Sequence, residues 1–393
     1  MIRRACRIAP LALGLLLFPA VHAGAQTVSS VLNFLLTNQS VQTGSVERDR
    51  VAAQATTDTI SRALLANLAT LPVPTSSSGF VYQLNPELGT VERATKTFGP
   101  FFVERAQTAG RGQASAGMTF EHLHFTSLDG RSLRDGTFVT TANKFTDETT
   151  PFDVDQLTVN IDASVATLYG NVGVTDRLEV GVAAPFVRLS VAGARVDTYR
   201  GRQFTQATAS AEAVGLADII ARAKYTLYHA EGDGVAAAVD FRLPTGREED
   251  LLGAGSAAVK FSGIGSIERG ALAAHVNGGV SFGGLAREFV YDAAVEVAAT
   301  AKTTIIGELL GRSIDSPGHI VQVSAPNPAI AGVQTLRLAP DDSMLQILTF
   351  VPGFKWNLSS TWILAANVSI PLTSAGLNAT ITPFIGLDYT LGR

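Results

Sequence analysis

The stretch Glu288-Phe289-Val290-Tyr291-Asp292-Ala293-Ala294-Val295-Glu296-Val297 puts Phe289, Tyr291, Val295 and Val297 on one parity and Glu288, Asp292 and Glu296 on the other. Successive side chains of a strand point to opposite faces, so a period of two gives one apolar and one charged face. A helix would scatter the same carboxylates around a cylinder. The pattern recurs although the sequence does not. Val235, Ala237, Val239, Phe241 and Leu243 oppose Asp240 and Arg242, and Ile219, Ala221, Ala223, Tyr225 and Leu227 oppose Asp218, Arg222 and Lys224. Leu157, Val159, Ile161, Ala163, Val165 and Tyr169 oppose Thr158, Asn160, Asp162 and Ser164. Near the C-terminus, Leu377, Ala379, Ile381, Ile385, Leu387, Tyr389 and Leu391 oppose Asn378, Thr380, Thr382, Asp388 and Thr390. A strand between lipid and a wet lumen must look this way, so each apolar set is expected to face the bilayer and each polar set the lumen.

About twelve such strands begin near residues 113, 156, 178, 215, 235, 256, 271, 288, 303, 345, 361 and 377, an even number as closure of a bacterial barrel requires. Connections after the first, third and ninth strands are long, about 20 to 30 residues, whereas those after even-numbered strands are tight, as at Thr175-Asp176-Arg177, Gly232-Asp233-Gly234 and Ser359-Ser360. Long loops on one side and short turns on the other are the habit of an outer-membrane barrel. A soluble β-sandwich also alternates, but its strands average about five or six residues and its outer face is polar. Tyr169, Phe186, Tyr225, Tyr291, Trp356, Trp362 and Tyr389 fall near strand ends, where an aromatic girdle would meet the lipid interface. The expected fold class is therefore all-β, a transmembrane antiparallel up-and-down barrel.

The N-terminus gives the address. A basic start, Met1-Ile2-Arg3-Arg4-Ala5-Cys6-Arg7, precedes an apolar run from Ile8 to Ala20 and a small-residue site, Ala23-Gly24-Ala25. This is the layout of a signal peptide cut before Gln26, too short to be a spanning helix. Residues 1–25 are read as signal, 26–110 as a separate N-terminal segment and 111–393 as the barrel. Cys6 is the only cysteine, and it leaves with the signal, which removes thiol catalysis and Cys-ligated metals. Losing Arg3, Arg4 and Arg7 takes the formal charge from -4 to -7 (-4 - 3), so nucleic acid is not an expected partner. Composition is 46% hydrophobic and 16% charged, yet no later stretch reaches the roughly 18 apolar residues a spanning helix needs. The expected location is the outer membrane of a Gram-negative bacterium. Expected partners are outer-membrane lipid and lipopolysaccharide, the barrel-assembly machinery and small-molecule solutes.

Residues 26–110 do not alternate. Ile60, Leu64, Leu68 and Leu71 are spaced as on a helix from about Val46 to Leu71, stopped by Pro72. Pro72 to Ser78 reads as a linker, with short strands expected at Phe80–Leu84 and Phe101–Glu104. Two arrangements are open: a plug folded into the lumen, or a periplasmic extension beneath the barrel.

Twelve charged residues are the candidate lumen lining: Asp162, Asp218, Arg222, Lys224, Asp240, Arg242, Glu288, Asp292, Glu296, Glu308, Arg312 and Lys355. Both signs occur, and away from bulk water such groups pair across strands, lining a hydrated channel or closing it. His122 and His124 share a strand face, but two ligands alone make a poor metal site. Asp147-Glu148 with Asp153 and Asp155, and Glu248-Glu249-Asp250, read as solvated loop clusters, the alternative being sites for divalent cations at the lipopolysaccharide surface. No nucleophile element, phosphate loop or metalloprotease motif stands out, so no catalytic residue, metal or cofactor is expected.

Tyr169-Gly170-Asn171-Val172-Gly173-Val174-Thr175-Asp176-Arg177-Leu178-Glu179-Val180-Gly181, Phe241-Arg242-Leu243-Pro244-Thr245-Gly246 and Phe384-Ile385-Gly386-Leu387-Asp388-Tyr389 resemble segments of the outer-membrane barrels associated with the phenol-degradation meta-pathway, akin to fatty-acid and aromatic-hydrocarbon transporters. The likeness covers roughly residues 110–393. It implies a non-enzymatic channel for passive uptake of small aromatic or otherwise hydrophobic molecules. The alternative is a structural or assembly barrel whose N-terminal segment binds a periplasmic partner.

Overall fold

The computed structural model describes residues 26–36, 60–66, 68, 82–85, 90–93, 95–230, 232–315, 318–327, 330–359 and 361–391. Twelve antiparallel strands close into a barrel in chain order. They are β1 (Ala114–Leu128), β2 (Asp153–Gly173), β3 (Leu178–Tyr199), β4 (Arg202–Leu216 and Ile219–Ala230), β5 (Asp233–Leu243), β6 (Ala258–Arg269), β7 (Leu272–Gly283), β8 (Glu288–Thr300), β9 (Thr303–Ile314), β10 (Leu345–Asn357), β11 (Trp362–Pro371) and β12 (Leu377–Ala379 and Thr382–Leu391). Closure comes from β12 on β1, with Phe384 opposite Glu121 and Leu391 opposite Ala114. A closed ring leaves no unpaired edge, which hydrocarbon would penalise at every open amide.

Across the middle of the barrel the faces follow the expected parity. Val276, Val295, Ile305 and Ile385 point outward, each more than half exposed, while Lys224, Asp240, Glu296, Glu308 and Lys355 are buried within. Large apolar side chains exposed all around a wall are stable only where the surrounding medium is itself apolar, which identifies this belt as the bilayer face.

On β2 the reading of the faces is reversed. Leu157, Val159, Ile161, Ala163, Val165 and Tyr169 are buried inside, and Thr158, Asn160, Asp162 and Ser164 lie on the outer, partly exposed face. The cause is strand length. β2 and β3 run 21 and 22 residues, where about ten cross a bilayer, so their far ends stand in water. For Leu157 to Val165 the outside is solvent and the inside is filled with protein, whereas Tyr169, near the turn end, lies inside with its hydroxyl donating to Asp388, and Leu168 and Val172 take the lipid face there. Asp162 is thus not a lumen residue; it pairs outside with His124. Leu377 and Ala379, expected outward, are also buried, because β12 is interrupted between Ala379 and Thr382 and its inward positions change from odd to even across that break.

The long connection expected after the third strand is strand instead. β3 continues to Tyr199 and β4 returns from Arg202 through Arg200 (φ 47°) and Gly201 (φ 79°), a turn with both central residues left-handed, which suits strand twist. The first and ninth connections are long and partly extended. Phe138–Phe145 pairs with β2 and with Val333–Pro340, which pairs in turn with Ile320–Pro326. One end of the barrel therefore carries the loops, and the other only short turns.

The main hydrophobic core lies inside the cylinder at the loop end. Helix α1 (Val28–Leu36) presents Val28, Val31, Leu32, Leu35 and Leu36 to Leu157, Val159, Ile161, Leu189 and Val191, and Ile60, Ala63 and Leu64 from the helical residues 60–66 join the same cluster. Thr27 caps α1, its hydroxyl accepting from Ser30 N at 3.1 Å, and Arg195 donates to Leu35 O at the other end. Of the long helix expected from Val46 to Leu71, residues 46–59, 67 and 69–71 lie outside the described residues, as do the expected linker, 72–78, and the proposed signal, 1–25. A strand does form at Tyr82–Asn85, paired with Thr90–Arg93, but Phe101–Glu104 has no strand partner.

Candidate functional site

Residues 95–113 lack regular structure and pass through the interior from the turn end to mid-barrel and back. Their backbone groups must be satisfied by the wall, and the wall's inward polar side chains do this. Lys96 N donates to Glu268 Oε1 (2.9 Å) and Phe98 N to Thr304 Oγ1 (3.3 Å), both near the short turns. At mid-height Glu308 accepts from Phe101 N and Phe102 N, and Lys355 Nζ donates to Pro100 O (2.7 Å) while lying 5.3 Å from the Phe101 ring centroid. Phe101 and Phe102 both meet Phe384 edge-on.

The return limb is fixed as densely. Glu104 exchanges backbone hydrogen bonds with the Asn277 amide (3.1 and 3.2 Å), and its carboxylate pairs with Arg222 and Lys224. Arg222 also pairs with Asp240, and Lys224 with Glu179. Ala106 N donates to Ser266 Oγ (2.8 Å), whose hydroxyl meets His275, which meets Glu296. Thr226 Oγ1 donates to Ala106 O, Thr108 Oγ1 to Asp176 O, and Ala109 N to Glu179 Oε2. Charges of both signs held off water repay their desolvation only when paired and hydrogen-bonded in this way.

Eleven of the twelve expected lining residues face the interior, in three groups. Arg222, Lys224, Glu308 and Lys355 hold residues 100–105, while Asp240 and Glu296 stand behind them on Arg222 and His275. Asp218 lies at the break in β4 and accepts from Gly246 N and Ala254 N, tying down the loop over residues 244–257. Arg242, Glu288, Asp292 and Arg312 line a cavity of about 140 Å³ between residue Phe102 and the loops. In it Glu288 pairs with Arg312 at 2.8 Å and Asp292 accepts from Gly311 N at 3.2 Å. A second cavity of about 110 Å³ lies beside it, more apolar, with Leu123, Phe125, Ile347 and Leu377 in its wall.

Glu179, Lys260 and His275 also stand on the inward wall, at positions the same alternation includes. Glu104 and Arg105 lie on an irregular segment, which carries no periodic signal. The signal for α1 was present: a capping Thr27 ahead of Val28, Val31, Leu32 and Leu35 at helical spacing.

At the loop end, outside the bilayer belt, Asp153, Asp155, Asp197 and Arg195 are buried together, with Asn143 Nδ2 donating to Asp153 Oδ2 at 2.7 Å. Burial, and then the neighbouring Asp197 carboxylate, push the Asp153 carboxyl well above the usual range. Among the described residues, no three His, Cys, Asp or Glu side chains converge as metal ligands would.

No known protein family matches the sequence, and no curated protein matches it. Solved structures with similar backbones include an outer-membrane channel from Pseudomonas putida F1 (14% identity, TM-score 0.47, covering 73% of this chain and 98% of that one). They also include a Pseudomonas aeruginosa FadL homologue (9%, TM-score 0.33, 71% and 90%) and the CymD monoaromatic hydrocarbon channel (9%, TM-score 0.28, 72% and 90%).

Proposed function

We propose that this chain is an outer-membrane channel for passive uptake of small aromatic or otherwise hydrophobic molecules, with residues 26–110 acting as a plug that must shift for solute to pass. The observation that carries this reading is the course of residues 96–109, whose backbone is hydrogen-bonded by side chains of β3, β4, β6, β7, β9 and β10. A lumen with so many inward donors and acceptors is wet or protein-filled, and a filled one opens only by exchanging those contacts for water. Diffusion and gating replace covalent chemistry.

The loop end is taken as extracellular and the turn end as periplasmic, as in single-chain bacterial barrels. The likeness of residues 169–181 to the phenol-degradation barrels supports aromatic solutes. A periplasmic partner module would instead hang beneath the barrel, whereas α1 packs inside the loop end, its Val28 N 3.4 Å from Asp250. Deleting residues 26–105 tests the proposal in planar bilayers. Conductance should rise several-fold over the full chain; unchanged conductance would overturn the plug.

A further inference from the structure

The two cavities above Phe102 share Phe102, Leu310 and Arg312, so they adjoin at these three side chains and form two compartments of one site. Their chemistry differs. The first has Arg222, Arg242, Lys260 and Arg312 against Asp240, Glu288 and Asp292, four cations to three carboxylates. The second is walled mainly by Leu123, Phe125, Ile347, Pro371, Leu377 and Ala379, and at about 110 Å³ approaches the roughly 150 Å³ apolar cavity that holds one benzene ring. Its one carboxyl, Glu121, is on β1, whereas Arg312 is on β9, with β10, β11 and β12 between them. A ring in the apolar compartment can therefore carry a negative group to the guanidinium without meeting Glu121.

From this juxtaposition we infer that the space is a binding site for small amphipathic carboxylates, an aromatic ring in the apolar compartment and its carboxylate at Arg312. A guanidinium is the side chain suited to this task, being planar, permanently charged and able to donate in pairs to a carboxylate. Among the described residues Arg312 is the one charged side chain that lines both compartments, so the charge a ring in the apolar compartment meets where the two adjoin is positive. An uncharged ring would leave the charged compartment with only water to meet. The inference rests on the channel reading above and refines its solute to ring-bearing acids.

Equilibrium binding of radiolabelled benzoate to the full chain, purified from membranes in detergent, tests it. Benzoate should bind saturably, with acetate, benzyl alcohol and benzylamine each competing about tenfold or more weakly, the loss of one charge-assisted contact or of the ring. Arg312→Met combined with Glu288→Gln removes the ion pair without stranding a charge and should weaken benzoate binding about tenfold or more. Ala379→Phe fills the apolar compartment and should do the same. Heat-modifiable gel mobility reports whether each variant is folded. Benzyl alcohol or benzylamine competing as well as benzoate, acetate competing equally, or no saturable binding would each overturn the proposal on the unaltered protein. These results are independent of the conductance of the 26–105 deletion, so the site can fail while the channel stands.

Discussion

Glu308 and Phe102 join the barrel wall to the segment inside it: the Glu308 carboxylate accepts Phe102 N at 3.0 Å and Phe101 N as well. One side chain thereby satisfies two backbone amides at mid-barrel, beside Lys355 and its bond to Pro100 O. Hydrogen bonds to a charged group contribute about 1.5–3 kcal/mol each. Glu308→Ala should weaken the attachment by about 2–4 kcal/mol and raise opening frequency in single-channel recordings at least tenfold, with Glu308→Gln intermediate. Recordings identical to the unaltered protein would show that this contact does not hold the segment.

Leu35 on α1 is fully buried against β3, where a methyl added at Gly193 would meet its Cδ1 at 2.8 Å. Leu35→Ala should cost about 2–5 kcal/mol of helix docking. Limited proteolysis should then cleave near α1 while the barrel remains resistant.

The two faces of the wall predict different costs for the same charge. Val276→Arg, in the bilayer belt, should destabilise by about 2–4 kcal/mol in denaturant titrations from lipid vesicles. Thr158→Arg, on the outer face of β2 above the belt, should change stability by about 0.5 kcal/mol or less. Equal penalties would mean that β2 faces lipid there after all.

Gly311 is where the Tyr291 ring crosses the neighbouring strand, and a Cβ there would stand 2.1 Å from the ring. Gly311→Ala must displace an aromatic side chain from the wall, which should cost about 1–3 kcal/mol and lower the temperature at which the heat-modifiable form is lost. The double change Gly311→Ala with Tyr291→Leu should recover part of it.

Asp153 titrates from an elevated position of about 7, set by burial and by Asp197. A carboxyl whose folded pKa lies above its unfolded value stabilises the fold below the unfolded value, near 4, and loses that contribution as pH rises through about 7. Raising pH from 5 to 8 should lower the amide protection factors, that is, exchange rates corrected for the base-catalysed intrinsic rate, around residues 138–145 and 153–157. Asp153→Asn should flatten that dependence; protection factors unchanged with pH in the unaltered protein would contradict it.

The alternation of residues such as Phe289, Asp292, Val295 and Glu296 by itself determined a closed transmembrane barrel, its strand number and most of the strand starts, because the period of a strand is a local property. It also carried the inward direction of Arg222, Lys224, Glu308 and Lys355. Only the tertiary structure decided what each face meets. Leu157 to Val165 have the same alternation as a lipid-facing strand, but they lie beyond the bilayer and pack on α1, so their apolar side chains point in and Asp162 points out. Likewise Glu104 sits on an irregular segment with no period to read, and its ion pairs with Arg222 and Lys224 exist because the chain folds back inside its own barrel. Periodicity records that two faces differ; which solvent or partner each one touches depends on where the strand stands and what fills the cylinder.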